Sequence, residues 1–218
     1  MTPAGFYGKS PSRGDFVGRN LPGDLIEDWD AWAQSGLEAS RAALGDEWLP
    51  SYLSAPIWRF ATPSGAFGAA PIAGVVVPSV DRVGRYFPFL VATPLPYDAT
   101  PAMALLHGQF WYAAAEVAAL SALDESIGMD ALEAAVSGLP CLDAPAIPAP
   151  TVSDHGDGVS VAMPPGFEDR SPTVLIAGLV GTRGLWWTQG GERVAACLRL
   201  MTPRPAAEAF TRLLIDPR

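Results

Sequence analysis

The chain has 218 residues, 49% hydrophobic and 17% charged, with 22 glycines and 22 prolines, a composition that excludes disorder of the whole chain and suits one ordinary globular domain. Fourteen basic against twenty-three acidic residues give a net charge of −9, which argues against nucleic acid and against an anionic membrane surface as partners. Two cysteines, Cys141 and Cys197, are too few for a disulfide scaffold, and no secretory leader pattern opens the chain, so a cytoplasmic protein with reduced thiols is expected.

Gly5 to Gly8 reads as a short strand leading into a turn-rich loop from Lys9 to Gly23. A long helix is predicted next, with Asp24 at its N-cap, Glu27 three residues on as in a capping box, and Gly45 just past the last periodic residue. Leu25, Trp29, Trp32, Leu37 and Leu44 form its apolar face. Ile57 to Ala61, Ile72 to Val77 and Phe87 to Ala92 follow as strands punctuated by Pro and Gly. The second, IAGVVV, is apolar on both faces and reads as a central strand covered by helices on both sides. Ala102 to Leu123 carries a single formal charge, Glu116, and is long enough to cross a bilayer. Within it Met103, Leu106, Phe110, Ala113, Val117 and Leu120 recur at helical spacing, which predicts an amphipathic core helix instead.

A shorter helix is expected from Met129 to Val136. Seven prolines then fall between Gly138 and Pro172, a density no sheet centre or helix interior tolerates. Residues 138–172 are therefore read as a surface excursion, with Val159 to Met163 as one short edge strand. Thr173 to Val180, Gly184 to Thr188 and Val194 to Leu200 read as strands. Pro203 or Pro205 opens a final helix whose Phe210, Leu213 and Leu214 face inward. The reading is an α/β fold in one domain, residues 1–218.

Motifs for established chemistries fail on inspection. A phosphate-binding loop built on Gly8-Lys9-Ser10 needs a glycine where Pro3 stands, and proline has no N–H to offer a phosphate. His107 and His155 are too far apart for a zinc site, and Asp154-His155-Gly156-Asp157-Gly158 lacks the alternating acidic ligands of a calcium loop and reads as an exposed turn. No Gly-x-Ser-x-Gly elbow and no complete dinucleotide fingerprint exists. No metal and no cofactor is expected. Arg13-Gly14-Asp15 belongs to a loop, GKSPSRGDFVGR, in which Lys9, Arg13, Asp15 and Arg19 are explained by turn chemistry. Any one of the seven tryptophans is better placed in the core than at an interface.

The polar cluster that remains is Ser79, Asp81, Arg82 and Arg85, directly after the central strand in PSVDRVGRYFP, where Gly84 allows the backbone to bend. Two arginines and a carboxylate suit a phosphate, a substrate carboxylate or an acidic partner segment. They equally suit an ion pair that pins a loop over the sheet. Ser79, Asp81, Arg82 and Arg85, with Arg59, form the candidate binding residues.

GFYGKSPSRGDFVGRNLP, then WDAW, then LGDEWLPSYLSAPIWRF, then GVVVPSVDRVGRYFPF, in that order, resemble the TagF family of type VI secretion-associated proteins. The resemblance is dense from Gly5 to Pro96 and thin afterwards, with Ser10 and Phe89 standing where leucine is more usual. It implies a three-layer αβα sandwich, for which we expect a mixed central sheet. It also implies a cytoplasmic, post-translational repressor that acts by binding the forkhead-associated scaffold protein of the secretion system, without catalysis. The family brings no catalytic residues to assign. Two rival readings are a small-ligand sensor or enzyme using the arginine pocket, and a structural accessory subunit of the secretion machine.

Overall fold

A computed structural model describes residues 3–142, 144, 151–154, 159–162 and 171–216. In chain order the elements are β1 (Gly5–Gly8), β2 (Val17–Arg19), α1 (Gly23–Leu44), α2 (Trp48–Leu53), β3 (Trp58–Thr62), β4 (Ile72–Val77), β5 (Phe89–Pro94), α3 (Pro101–His107), α4 (Gln109–Ser121) and α5 (Met129–Ser137). They continue with β6 (Val152–Asp154), β7 (Val159–Val161), α6 (Ser171–Val180), β8 (Gly184–Thr188), β9 (Cys197–Met201) and α7 (Thr211–Leu214).

Seven strands form one sheet in the order β2-β1-β5-β4-β3-β8-β9. Every pairing in it is antiparallel, which corrects the expectation of a mixed sheet. The reason lies in the connections. Parallel neighbours need a crossover of a dozen or more residues, usually a helix, whereas β3, β4 and β5 are joined by loops over residues 63–71 and 78–88 that contain none. β4 does lie at the centre, and all six of its residues are buried.

Both faces of the sheet are covered. Phe6, Val75, Phe89 and Val91 pack with Met103, Trp111, Tyr112, Ala115 and Leu132 in one apolar cluster. Phe60, Ile72, Val76, Leu90 and Trp186 pack with Leu25, Trp29, Trp32, Phe210 and Leu213 in the other. The second cluster is an aromatic stack, with Phe60 and Trp186 ring centroids 4.6 Å apart and Trp29 and Phe60 5.3 Å apart. Such pairs contribute ~0.5–1.5 kcal/mol each beyond the area they bury. Six of the seven tryptophans are buried, Trp187 only partly.

Three local expectations are corrected. Asp24 does not cap α1, which starts at Gly23 behind Pro22; its carboxylate instead accepts the Ala69 N–H, while Asp28 accepts that of Gly68. The long helix from Ala102 to Leu123 is two helices, broken at Gly108. A Cβ there would lie 2.4 Å from the Ala104 carbonyl oxygen. The break resets the helical wheel, so Trp111, Tyr112, Ala115, Ala118 and Ala119 turn inward while Phe110 is 87% and Val117 69% exposed. Thr173 to Val180 is helical and not a strand, because a short apolar run does not distinguish the two; Val174, Ala177 and Val180 are buried at three-residue intervals, and Pro172 sits in the first turn, where its missing N–H costs nothing. Val159 begins a strand that pairs with β6, outside the main sheet. Residues 155–158 of the expected turn, and much of the Pro-rich stretch, lie outside the described residues. Among those described, no helix is long and apolar enough to cross a membrane.

Candidate functional site

β4 ends at Val77, and the chain turns back toward β5 through a tight loop closed by a bridge between Val80 and Tyr86. Asp81 organises that turn. Its Oδ1 accepts the backbone N–H groups of Val83 at 3.0 Å and Arg85 at 2.8 Å, and its own N–H donates to the Arg85 carbonyl at 3.0 Å. Gly84, at φ +85°, takes the left-handed conformation that the turn requires. Oδ2 of Asp81 accepts from Lys9 Nζ at 2.6 Å and from Arg85 Nε at 2.7 Å.

Lys9 comes from the end of β1, so the two charged loops of the sequence meet in one cluster. Ser79 Oγ donates to the Lys9 carbonyl at 2.7 Å, and Arg82 N donates to the Arg13 carbonyl at 2.8 Å. The Arg85 guanidinium also reaches the Gly14 carbonyl. Behind the cluster the Tyr52 hydroxyl donates to the Ser79 carbonyl at 2.9 Å and accepts the Ser79 N–H at 3.0 Å. Ser10 Oγ donates to the Ala122 carbonyl at 2.8 Å, tying the loop to the end of α4.

The Asp81 side chain has no exposed surface and that of Lys9 only 6%. Burial pushes the Asp81 carboxyl up, but the hydrogen bonds from Lys9, the Arg85 backbone, the Arg85 side chain and the Val83 backbone outweigh it. They hold this carboxyl well below the usual carboxylate range. A carboxylate with four donors on it stays ionised and rigid, and has nothing left to offer a ligand.

The candidate residues therefore separate. Ser79 and Asp81 are buried and hold the loop. Arg85 is half-exposed but committed to Asp81 and Gly14. Arg82 projects to solvent, as does Arg13 beside it, and neither guanidinium has an ion-pair partner among the described residues. Arg59 does not join them. It sits on β3 and grips Glu116 of α4 in a two-pronged pair at 2.6 and 2.9 Å. The Glu116 hydrogen bonds raise the Arg59 pKa further, against the opposing effect of burial. Arg59 is thus a brace between helix and sheet.

Sequence reading missed Lys9, Arg13 and Tyr52 as members of the cluster. Lys9 and Asp81 are 72 positions apart, and no local spacing reports such a pairing. The failed phosphate-loop match was the available signal, because a lysine between Gly8 and Ser10 that serves no phosphate needs another counter-charge. Beside the cluster, an open cleft of about 610 Å³ is lined by Lys9, Phe16, Arg41, Tyr86 and Phe87, with Gln34, Leu37 and Glu38 of α1. Among the described residues no group of three or more His, Cys, Asp or Glu is placed to hold a metal ion.

The comparisons with known proteins bear on this arrangement. Residues 5–139 match the model of the TagF N-terminal domain, type VI secretion system-associated. The chain belongs to the TagF family. The matched span contains Lys9, Arg13, Tyr52, Ser79, Asp81, Arg82 and Arg85, so the whole cluster lies inside the TagF region. A solved structure, PA0076 from Pseudomonas aeruginosa PAO1, is 37% identical with a TM-score of 0.85, over 99% of this chain and 95% of that one. No curated protein matches this TagF chain.

Proposed function

We propose that this protein is a binding module that represses type VI secretion post-translationally by holding a cytoplasmic forkhead-associated scaffold protein, and that Arg82 and Arg13 contact that partner. The observation that carries the reading is the contrast within the cluster. Lys9 and Arg85 share the single Asp81 carboxylate and brace the loop, while Arg82 and Arg13 are held on that rigid base with no ion-pair partner among the described residues. Arginine in such a position suits carboxylate or phosphate on a partner, because its planar fork binds both edges of an oxyanion. Membership of a secretion-associated family supports a partner within that machinery. We read the two apolar clusters as the contacts of helix layers on either face of an αβα sandwich, forming a single domain.

A non-catalytic role agrees with the chemistry of the cluster. The hydroxyls of Ser79 and Ser10 donate to backbone carbonyls, whereas an activated nucleophile donates to a base. The rival small-ligand reading draws on the same two exposed guanidiniums. Stabilisation of the protein by inorganic phosphate, lost in the variant below, would favour it.

The test is a pull-down of the scaffold protein with an Arg13→Ala, Arg82→Ala double variant. Capture should be lost while the stability changes by no more than surface substitutions usually cause, about 0.5 kcal/mol. Capture that persists, or a large fall in melting temperature, overturns the assignment of these residues. Deleting the gene should raise secretion; abolished secretion would instead indicate a structural part of the machine.

A further inference from the structure

We infer that β9 is a self-pairing edge, through which two copies of this chain join their sheets into one. The inference stands on the sheet alone and is independent of the proposed function. A free strand edge presents a row of unpaired N–H and C=O groups, and proteins that stay single blunt such edges with short strands, charge, proline or bulges. The two edges of this sheet are treated differently. β2 has three residues, contains Gly18, ends on the exposed Arg19, and is followed at once by Asn20 at φ +61°. It is blunted by every feature it has.

β9 is not blunted. Its five residues, Cys197 to Met201, pair without interruption with β8, and they include no proline and no lysine. Leu198 and Leu200 are 50% and 47% exposed on one face. The one charge in the strand, Arg199, points to the opposite face, where it stacks over Trp58 at 4.8 Å and is neutralised by Asp216 at 2.7 Å. On the leucine face the helical cover reaches Trp187, whose ring lies 4.7 Å from that of Tyr112. It also covers Leu185, which clusters with Ala102 and Ala177. Neither Leu198 nor Leu200 belongs to any of the apolar clusters.

The identity of the occupant follows from the pattern Cys-Leu-Arg-Leu-Met, which is nearly symmetric about Arg199. An antiparallel pair of β9 strands with its two-fold axis at Arg199 sets Leu198 directly opposite Leu200 of a second copy, and Leu200 opposite Leu198. Cross-strand apolar pairs are the unit of sheet stabilisation. The two arginines that meet at the axis each bring their own Asp216, so no uncompensated charge is trapped there. A strand from an unrelated protein has no reason to match this symmetry, whereas a second copy matches it by construction.

Sedimentation of the full chain should give a mass that rises with concentration from 22.9 kDa toward twice that value. Leu198→Lys with Leu200→Lys should hold it at the single-copy mass with an unchanged circular dichroism spectrum and melting temperature. A second variant fixes the register. With Cys141 and Cys197 replaced by serine, Leu198→Cys and Leu200→Cys stand opposite each other across the two-fold axis, as a cross-strand pair with Cβ atoms about 4.5–5.5 Å apart, from which a small inward shift reaches the ~3.8 Å spacing of a disulfide formed by mild oxidation. A disulfide-linked dimer supports the inference, and this readout decides it if the lysine variant does not fold. A single-copy mass throughout the micromolar range, a dimer unaffected in a folded lysine variant, or no crosslink overturns it.

Discussion

At the scale of single residues, Asp81 carries the most consequence. Removing one member of a buried ion pair leaves the other charge desolvated without compensation, at a cost of ~3–5 kcal/mol. Asp81→Ala leaves Lys9 in that position and also releases the Val83 and Arg85 N–H groups. For a protein of this size a loss of 1 kcal/mol lowers the melting temperature by roughly 2–4 °C, so a fall of about 10 °C is expected by calorimetry. The pH dependence has a definite sign. A carboxyl whose folded pKa lies below its ordinary value of 3.8 contributes stability that is fully present above that value and is lost as pH falls below it toward the folded pKa. The wild-type protein should therefore lose stability on acidification below about pH 4 more steeply than Asp81→Asn, which has no charge there to lose. Equal acid slopes in urea titrations of the two proteins would contradict the role assigned to Asp81.

At the scale of elements, sequence and structure agree where a local pattern decides the outcome. Gly5 to Gly8, Ile72 to Val77 and Gly184 to Thr188 are strands over the expected residues, and Gly45 ends α1 at φ +53°, because turn chemistry and apolar runs are local signals. The failures share a cause. On α4 the hydrophobic stripe through Phe110 and Val117 points outward, since Gly108 rotates the second half of the segment and tertiary packing prefers Trp111 and Tyr112. The charge at Glu116, which marked the polar side of that stripe, is instead drawn toward the sheet by Arg59. The cluster around Asp81 was half legible. Its loop could be found from SVDRVGR, but Lys9 and Tyr52 enter through pairings that no short window contains. Gly108 offers a test at this scale. Gly108→Ala forces a Cβ against the Ala104 carbonyl and the Tyr112 ring, and overpacking of this kind costs ~1–3 kcal/mol. If chemical denaturation finds the variant as stable as the parent, the break in the helix has another origin.

At the scale of the whole molecule, charge distribution governs association. The protein carries −9 overall, yet Arg13, Arg82 and Arg85 converge at one end of the sheet. A local positive region on an acidic body orients an acidic partner and repels a basic one before contact. Such steering is screened as the Debye length shortens from about 10 Å at 0.1 M salt to about 3 Å at 1 M. Capture of the proposed scaffold partner should weaken severalfold over that range, mainly through slower association, as surface plasmon resonance would record. Pairing through β9 should respond in the opposite direction, because salt relieves repulsion between two acidic bodies. A scaffold interaction that strengthens with salt would rule out the arginine surface.

The position of β1 in the sheet also sets an order of events at the ribosome. β1 lies between β2 and β5, so during synthesis it waits for one of its neighbours until Pro94 has emerged. Until β5 is made, Phe6 has no Phe89 ring to stack upon. A nascent chain arrested before that point exposes an incomplete nucleus to chaperones and proteases, so β1 becomes secure only after β5 has been made.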